Sequence, residues 1–140
     1  MDNCIFCKIV NGEIPSITLF EDEDVKVIFD IGPATKGHAI VITKEHFANV
    51  FEITDEALAK AHIAAKKVAT VLKEKTGCAG VNILQNNGEK AGQTVFHLHI
   101  HIIPRYEDDT AKITWTPGSI DGYKEYLEEL AASVKSELSK

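Results

Sequence analysis

Three histidines at alternate positions are the residues of this sequence best suited to chemistry. His97, His99 and His101 lie in the stretch Val95–Ile103, and bulky apolar residues separate them. A period of two is typical of a β-strand that turns one face to the core. The predicted core face consists of Phe96, Leu98, Ile100 and Ile102. The three imidazoles then stand in a row on the opposite face, with His99 at the centre.

Strand geometry indicates that these imidazoles have different roles. Alternate residues lie roughly 6.6 Å apart and the outer two of the row roughly 13 Å apart, so the rings do not readily converge on one atom. This spacing disfavours a hydrolase whose metal has three histidine ligands. A neutral imidazole can instead attack phosphorus, because the phosphorus–nitrogen bond that forms is labile enough to be hydrolysed afterwards. A serine hydrolase is disfavoured too, since the sequence contains no Gly-x-Ser-x-Gly.

The loop before the histidine row indicates a phosphate site. Gly88 and Gly92 let backbone N–H groups turn towards an anion, and Asn86 and Thr94 add side-chain hydrogen-bonding groups. Phosphoryl transfer is catalysed mainly by positioning and by neutralising charge on the non-bridging oxygens, which such groups provide. Taken by itself, the loop is equally compatible with a plain hairpin connection.

Cys4 and Cys7 form a Cys-x-x-Cys pair near the start of the chain. Two thiolates at this spacing can chelate one metal ion, but a tetrahedral site needs two more ligands. The chain has three cysteines, an odd number that in a reducing compartment points away from disulfides. Metal binding and plain burial of two small thiols are both open at this stage.

The composition indicates a single acidic domain. With 140 residues and 44% hydrophobic content, the chain can bury a core without disulfides. A net charge of -6 argues against a surface that coats nucleic acids, which requires a basic field, so any nucleotide is held locally. The start of the chain lacks the pattern of a secretion signal, and no stretch approaches the roughly 20 apolar residues that span a bilayer. We expect a cytoplasmic protein that does not enter a membrane.

Hydrophobic periodicity predicts five strands, at residues 17–20, 25–29, 38–43, 81–85 and the histidine stretch. Thr54 caps a helix that ends at Gly77, with apolar residues at spacings of three and four. Ser119 or Asp121 caps a last helix, whose apolar face contains Tyr123, Tyr126, Leu127, Leu130, Val134 and Leu138. The predicted fold class is α+β, a five-stranded antiparallel meander sheet with one inserted helix and a C-terminal helix.

The stretch His97–Ile103 resembles the His-φ-His-φ-His-φ-φ signature of the histidine-triad (HIT) nucleotide-binding proteins, in which φ is an apolar residue. The resemblance includes Gly92–Val95 before it, the opening Cys4–Ile9 and the segment Phe29–His38. It implies a single HIT-like domain over residues 1–140, with a core at 1–106 and a C-terminal extension and helix at 107–140.

The resemblance also implies a function. It is the hydrolysis of nucleoside phosphoramidates or related nucleotidyl conjugates at the α-phosphate, through a nucleotidyl-histidine intermediate, in a homodimer whose two sheets join. The nucleoside phosphoramidase branch, with AMP-like or GMP-like nucleotides, fits better than the uridylyltransferases, because those have glutamine where this chain has His101. Two alternatives stay open: a dinucleoside polyphosphate hydrolase, and a nucleotide-binding or adaptor protein with vestigial turnover.

Position by position, the resemblance implies that His99 is the nucleophile, with His101 as a second catalytic histidine and His38 as an orienting histidine behind the row. The implied α-phosphate contacts are Asn86, Gly92, Thr94, His99 and His101. Asp30 matches the carboxylate that binds the ribose hydroxyls. The implied apolar slot for the base consists of Ile5, Phe6, Ile9, Phe29 and Ile31.

The same resemblance implies a structural zinc site. Some zinc-bearing relatives use a Cys-x-x-Cys pair, a histidine after the third strand and the first histidine of the triad. In this chain these ligands are Cys4, Cys7, His46 and His97. Trp115–Gly118 resembles the Trp-Pro-Pro-Gly segment of the family, which reaches towards the partner's site.

Overall fold

The computed structural model describes residues 3–140, so the Met1–Asp2 end of the predicted domain lies outside the described residues. One sheet contains five strands, β1 (Thr18–Glu21), β2 (Val25–Phe29), β3 (Ala39–Thr43), β4 (Gly80–Leu84) and β5 (His99–Arg105). The α-helices among these residues are α1 (Ile5–Val10), α2 (Asp55–Thr76) and α3 (Lys124–Leu138). All strand pairs are antiparallel, which confirms the α+β class.

The strand order differs from a simple meander in one place. The order is β1-β2-β3-β5-β4, so the last strand inserts between β3 and β4. Ile100 and Ile102 on β5 are both fully buried. The chain gains more apolar burial by placing this strand inside the sheet and leaving β4 at the edge. His99 and His101 therefore stand on an inner strand of the sheet.

Both faces of the sheet are covered in the region of the site. The apolar stripe of α2 packs on one face, against residues of β2, β3 and β5. The short helix α1, which the periodicity did not predict, covers part of the other face and packs Phe6 and Ile9 on Ile28, Ile40 and Ile42. All five residues of β3 are consequently buried.

Two predictions for the histidine strand are wrong. The predicted strand includes Phe96 and His97, but β5 begins at His99, because the Leu98 N–H donates to the Phe47 carbonyl outside the sheet. Phe96 is predicted in the core and is 48% exposed, whereas His97 is fully buried. Residues that precede the paired strand need not follow the alternation of side chains between the two faces of the sheet.

The predicted ends of α2 are confirmed. The Thr54 side chain accepts a hydrogen bond from the Ala57 N–H, and Gly77 ends the helix in the left-handed region at φ 66°.

The last helix starts later than predicted, since Tyr123 precedes its first residue Lys124. The caps predicted at Ser119 or Asp121 are therefore wrong. Its apolar face from Tyr126 to Leu138 is present, but no residue of the helix is buried. Within residues 3–140, no helix combines the length and apolar character needed to cross a membrane.

Candidate active site and metal centre

A cleft of about 280 Å³ lies between α1 and the sheet. One part of its lining is apolar, and the other part carries a carboxylate and two imidazoles. The predicted site residues that line it are Ile5, Phe6, Ile9, Phe29, Asp30, Ile31, Thr94, His99 and His101. Segments more than 90 positions apart in sequence therefore meet around one space large enough for a small ligand.

The hydrogen bonds of His99 determine which of its nitrogens is reactive. The Nδ1 atom lies 2.7 Å from the backbone carbonyl of His97. A carbonyl oxygen only accepts, so Nδ1 carries the proton and donates. In the neutral ring Nε2 then holds a free lone pair. Because His99 lines the cleft, this arrangement prepares one nitrogen for nucleophilic attack.

A second chain of hydrogen bonds determines the tautomers of His38 and His101. The Ala34 N–H donates to His38 Nδ1 at 2.9 Å, so the proton of neutral His38 lies on Nε2. That Nε2 is 2.9 Å from His101 Nδ1 and donates to it. His101 therefore carries its own proton on Nε2, as a neutral donor. The Asp30 carboxylate lies 3.6 Å from His38 Nε2 and belongs to the same cluster.

Burial keeps these imidazoles neutral. It lowers the pKa of His38 and of His99 below their ordinary value, and Asp30 opposes the shift in both. Burial lowers the pKa of His101 to about 4, with further lowering from the neighbouring His99 and His38. At neutral pH the unprotonated form of His99 predominates, as a nucleophile requires.

The loop before β5 differs from prediction in how its glycines are used. The Gly88 N–H donates to the Gln93 side-chain oxygen and the Gly92 N–H donates to the Glu89 carbonyl, so neither of these two N–H groups is free to bind an anion. The loop closes on itself and uses these donors internally. Within residues 3–140, the side-chain polar atoms of Asn86 and Thr94 make no hydrogen bond and stay available.

Gly92 has a different role in this loop. Its φ of 99° lies in the left-handed region, and a Cβ atom there would stand 3.4 Å from Asn86 Nδ2. The left-handed backbone therefore favours glycine at this position, and the Asn86 side chain lies close beside it. The two predicted phosphate residues are thus neighbours in space, although they are six positions apart.

The four predicted metal ligands form a compact group. Cys4 Sγ and Cys7 Sγ lie 3.4 and 3.5 Å from His97 Nδ1, and Cys7 Sγ lies 3.3 Å from His46 Nδ1. The two Nδ1 atoms are 3.1 Å apart. Neighbouring ligands of a tetrahedral zinc ion with its usual bond lengths are about 3.3 to 3.8 Å apart. These two sulfurs and two nitrogens all lie within 4.8 Å of one another, which is compatible with a tetrahedral metal ion at their centre.

The tautomer of His97 agrees with metal binding. Its Nε2 lies 2.7 Å from the Thr43 carbonyl and must donate to it. The Nδ1 lone pair therefore points to the group of Cys4, Cys7 and His46. Burial lowers the pKa of His97 to about 4, which keeps this lone pair free at neutral pH.

His97 connects the metal group to the reactive histidine. Its ring faces the cysteines, while its backbone carbonyl accepts the hydrogen bond that His99 Nδ1–H donates. Phe6 packs edge-on against both rings, with centroid distances of 6.1 Å to His97 and 4.8 Å to His99. Helix α1, which carries Cys7 and has Cys4 as its N-cap, thus also packs against His99 through Phe6.

A family model for the HIT domain matches residues 11–108, which include the whole sheet and the histidine row. The chain belongs to the HIT family. The crystal structure of a HIT family protein from Bacillus anthracis has 40% identity to this chain and a TM-score of 0.90, with 97% of each chain covered.

Other HIT relatives carry more specific names. The adenosine 5'-monophosphoramidase hnt1 of Schizosaccharomyces pombe is 40% identical over 136 residues, which are 95% of this chain and 99% of that protein. The crystal structure of a zinc-bound histidine triad family protein from Mycobacterium smegmatis is 33% identical, with a TM-score of 0.76 and coverage of 94% of this chain and 98% of that one.

Sequence reasoning missed several residues of this HIT cleft. The lining also contains Ile14, Pro15, Ser16, Ile28, Ile40 and Val95. Ile28 and Ile40 are predicted strand residues, but the periodicity could not tell which face holds a ligand. The role of Gln93 in closing the loop was also missed, and a polar residue between two phosphate-site positions was the available signal.

Proposed function

We propose that this protein hydrolyses nucleoside phosphoramidates and related nucleotidyl conjugates at the α-phosphate and releases a nucleoside monophosphate. The observation that carries the proposal is the free Nε2 of His99, fixed by the 2.7 Å bond from Nδ1 to the His97 carbonyl. The name of the fission yeast relative, adenosine 5'-monophosphoramidase, supports the substrate class.

The reaction has two steps on the same phosphorus. His99 Nε2 attacks the α-phosphorus, the bond from phosphorus to the amine breaks, and the amine departs with a proton. Water then attacks the nucleotidyl-histidine, releases the monophosphate and restores the imidazole. His101 Nε2–H, Thr94 and Asn86 donate to the non-bridging oxygens, where charge increases in the transition state. Gly92, with its left-handed φ, forms the turn beside Asn86.

The remainder of the cleft binds the nucleoside. Asp30 accepts hydrogen bonds from the ribose hydroxyls, and one of its oxygens is held by the Gly32 N–H at 2.8 Å. The base enters the apolar slot formed by Ile5, Phe6, Ile9, Phe29 and Ile31. Ile31 is fully exposed in the free protein, so a bound base would cover apolar surface that is now in water.

Incubation with adenosine 5'-phosphoramidate tests the proposal, with released AMP measured by chromatography. We expect catalytic turnover, with AMP as the nucleotide product. A parallel incubation with diadenosine triphosphate tests the alternative of a polyphosphate hydrolase, which would cleave this compound faster than the phosphoramidate. Tight AMP binding without turnover of either compound would indicate an adaptor protein.

We expect Asp30→Ala to weaken ribose recognition more than chemistry. Hydrogen bonds to a charged group contribute about 1.5 to 3 kcal/mol each, so wild type should bind AMP at least about tenfold more tightly than 2',3'-dideoxy-AMP. In the variant the two nucleotides should bind within about threefold of each other. Calorimetric titration of both proteins with both nucleotides measures the four affinities. If the variant prefers the ribonucleotide as strongly as wild type does, Asp30 does not bind the ribose.

The metal group is best filled by zinc. Cys2His2 is a preferred ligand set of structural zinc, and the zinc-bound Mycobacterium smegmatis relative supports this identity. Cys4, Cys7, His46 and His97 would hold the ion, which supplies a fixed cross-link between α1 and the residues before β5. No chemical step needs it, because His97 acts on His99 through its carbonyl.

A homodimer joined through β4 is the assembly that the surface supports. β4 is an edge strand without charged residues, and its Ile83 is 46% exposed. β1, at the other edge, is irregular between Thr18 and Phe20 and ends in a charged residue, which protects that edge. The apolar face of α3 is also exposed and would be covered by a second copy.

We expect sedimentation to give about twice the chain mass of 15.4 kDa. The Ile83→Glu variant should shift the protein towards monomer, because an unpaired carboxylate would be buried in the joined sheet. Ile17→Glu is the matched control, since Ile17 is 71% exposed and precedes the opposite edge. A fully active wild-type monomer at micromolar concentration contradicts the dimer.

A further inference from the structure

One buried side chain holds the loop before β5 in place. Gln93 is 2% exposed and lies between the predicted phosphate residues Gly92 and Thr94. Its side-chain oxygen accepts from the Gly88 N–H at 2.8 Å. Its amide nitrogen donates to the carbonyls of Ala48 at 2.6 Å and Val95 at 3.1 Å. One side chain thus joins three separate stretches of backbone.

The three stretches that Gln93 joins are parts of the site. Gly88 lies in the loop before β5. The Gln93 N–H also donates to the Gly88 carbonyl at 3.1 Å, so a pair of hydrogen bonds between Gly88 and Gln93 closes this loop. Ala48 lies two residues beyond the predicted metal ligand His46. Val95 lines the cleft and leads directly into the histidine row. The Gln93 amide therefore determines where the loop lies relative to the segment that follows His46 and to the residues that lead into the histidine row.

The position of the loop matters because the backbone N–H groups of both its glycines are already used. The N–H groups of Gly88 and Gly92 are bonded within the loop, so the side chains of Asn86 and Thr94 carry the phosphate contacts in our proposed function. In the sequence, Asn86 precedes the segment from Gly88 to Gln93 that these hydrogen bonds close, and Thr94 follows it. A displaced loop would move both away from the α-phosphate. The predicted base slot would change less, because its residues lie on α1 and at the end of β2 and make no hydrogen bond with the Gln93 side chain.

We propose that Gln93 is a positioning residue that aligns Asn86 and Thr94 with the α-phosphate without touching the substrate. This inference rests on the proposed function for its substrate and on the hydrogen bonds for its mechanism. It assigns the effect of Gln93 to the phosphate rather than to the base or the ribose.

The Gln93→Met variant tests this role, because methionine has a similar length and removes all three side-chain hydrogen bonds. We expect AMP affinity to fall about tenfold or more, whereas the affinity for adenosine, which lacks the phosphate, stays within about twofold. Amide hydrogen exchange should become faster at Gly88 and stay unchanged in α2. Glu89→Gln, an exposed change in the same loop, is the matched control and should leave all three measurements as in wild type.

The Gln93→Glu variant provides a second measurement if the methionine variant does not fold. It keeps the acceptor for Gly88 but places an oxygen against the Ala48 and Val95 carbonyls, so the same selective loss of AMP affinity is expected. Equal losses of AMP and adenosine affinity, or unchanged exchange at Gly88, would overturn the positioning role. Failure of the wild type to bind AMP would overturn the proposed function instead, and exchange at Gly88 would still decide whether Gln93 holds the loop.

Discussion

We expect the His99→Asn variant to lose several orders of magnitude in turnover of adenosine 5'-phosphoramidate while it binds AMP nearly as well as wild type. Asparagine fills similar space but has no nucleophilic nitrogen, so the covalent step is lost and the binding contacts remain. Steady-state kinetics with calorimetric titration of AMP measure the two effects separately.

Two controls make this result specific. His62→Asn removes an exposed histidine of α2 and should leave turnover unchanged. Brief mixing of wild type with radiolabelled substrate, followed by rapid denaturation, should trap an adenylyl group on the protein, and the His99 variant should trap none. Turnover at the wild-type rate in the His99 variant would exclude His99 as the nucleophile.

The second large effect is expected from the Cys4→Ser/Cys7→Ser double variant. Protein purified without chelator or a polyhistidine tag should contain about one zinc ion per chain, and the double variant close to none. A ligand that binds the folded state tightly adds a few kcal/mol of stability, so we expect the melting temperature to fall by roughly 10 °C. Turnover should fall as well, because the carbonyl of His97 would no longer hold His99 in one tautomer.

Cys78→Ser is the matched control for this experiment. Cys78 is a buried cysteine outside the metal group, so its replacement removes a thiol without removing a ligand. Zinc content should stay at the wild-type value in this control. If zinc is substoichiometric in the wild type and unchanged in the double variant, the cysteines are not zinc ligands. The role of His97 would then be limited to supporting His99.

Local patterns determined much of the fold. The hairpin of β1 and β2, the length of α2 and both its ends follow from periodicity, from the Thr54 cap and from the left-handed Gly77. These features depend on interactions between residues close in sequence, so they can be read without knowing the fold. The row of histidines likewise indicates attack on phosphorus through its spacing and the chemistry of imidazole alone.

The tertiary structure decided how that chemistry is arranged. The insertion of β5 beside β3, the burial of His97 and the exposure of Phe96 depend on pairings between distant segments. The tautomers depend on such partners too: the Thr43 carbonyl for His97 and the Ala34 N–H for His38. Periodicity describes which face a residue occupies, but a ring nitrogen is a donor or an acceptor only through the atom that the fold places opposite it.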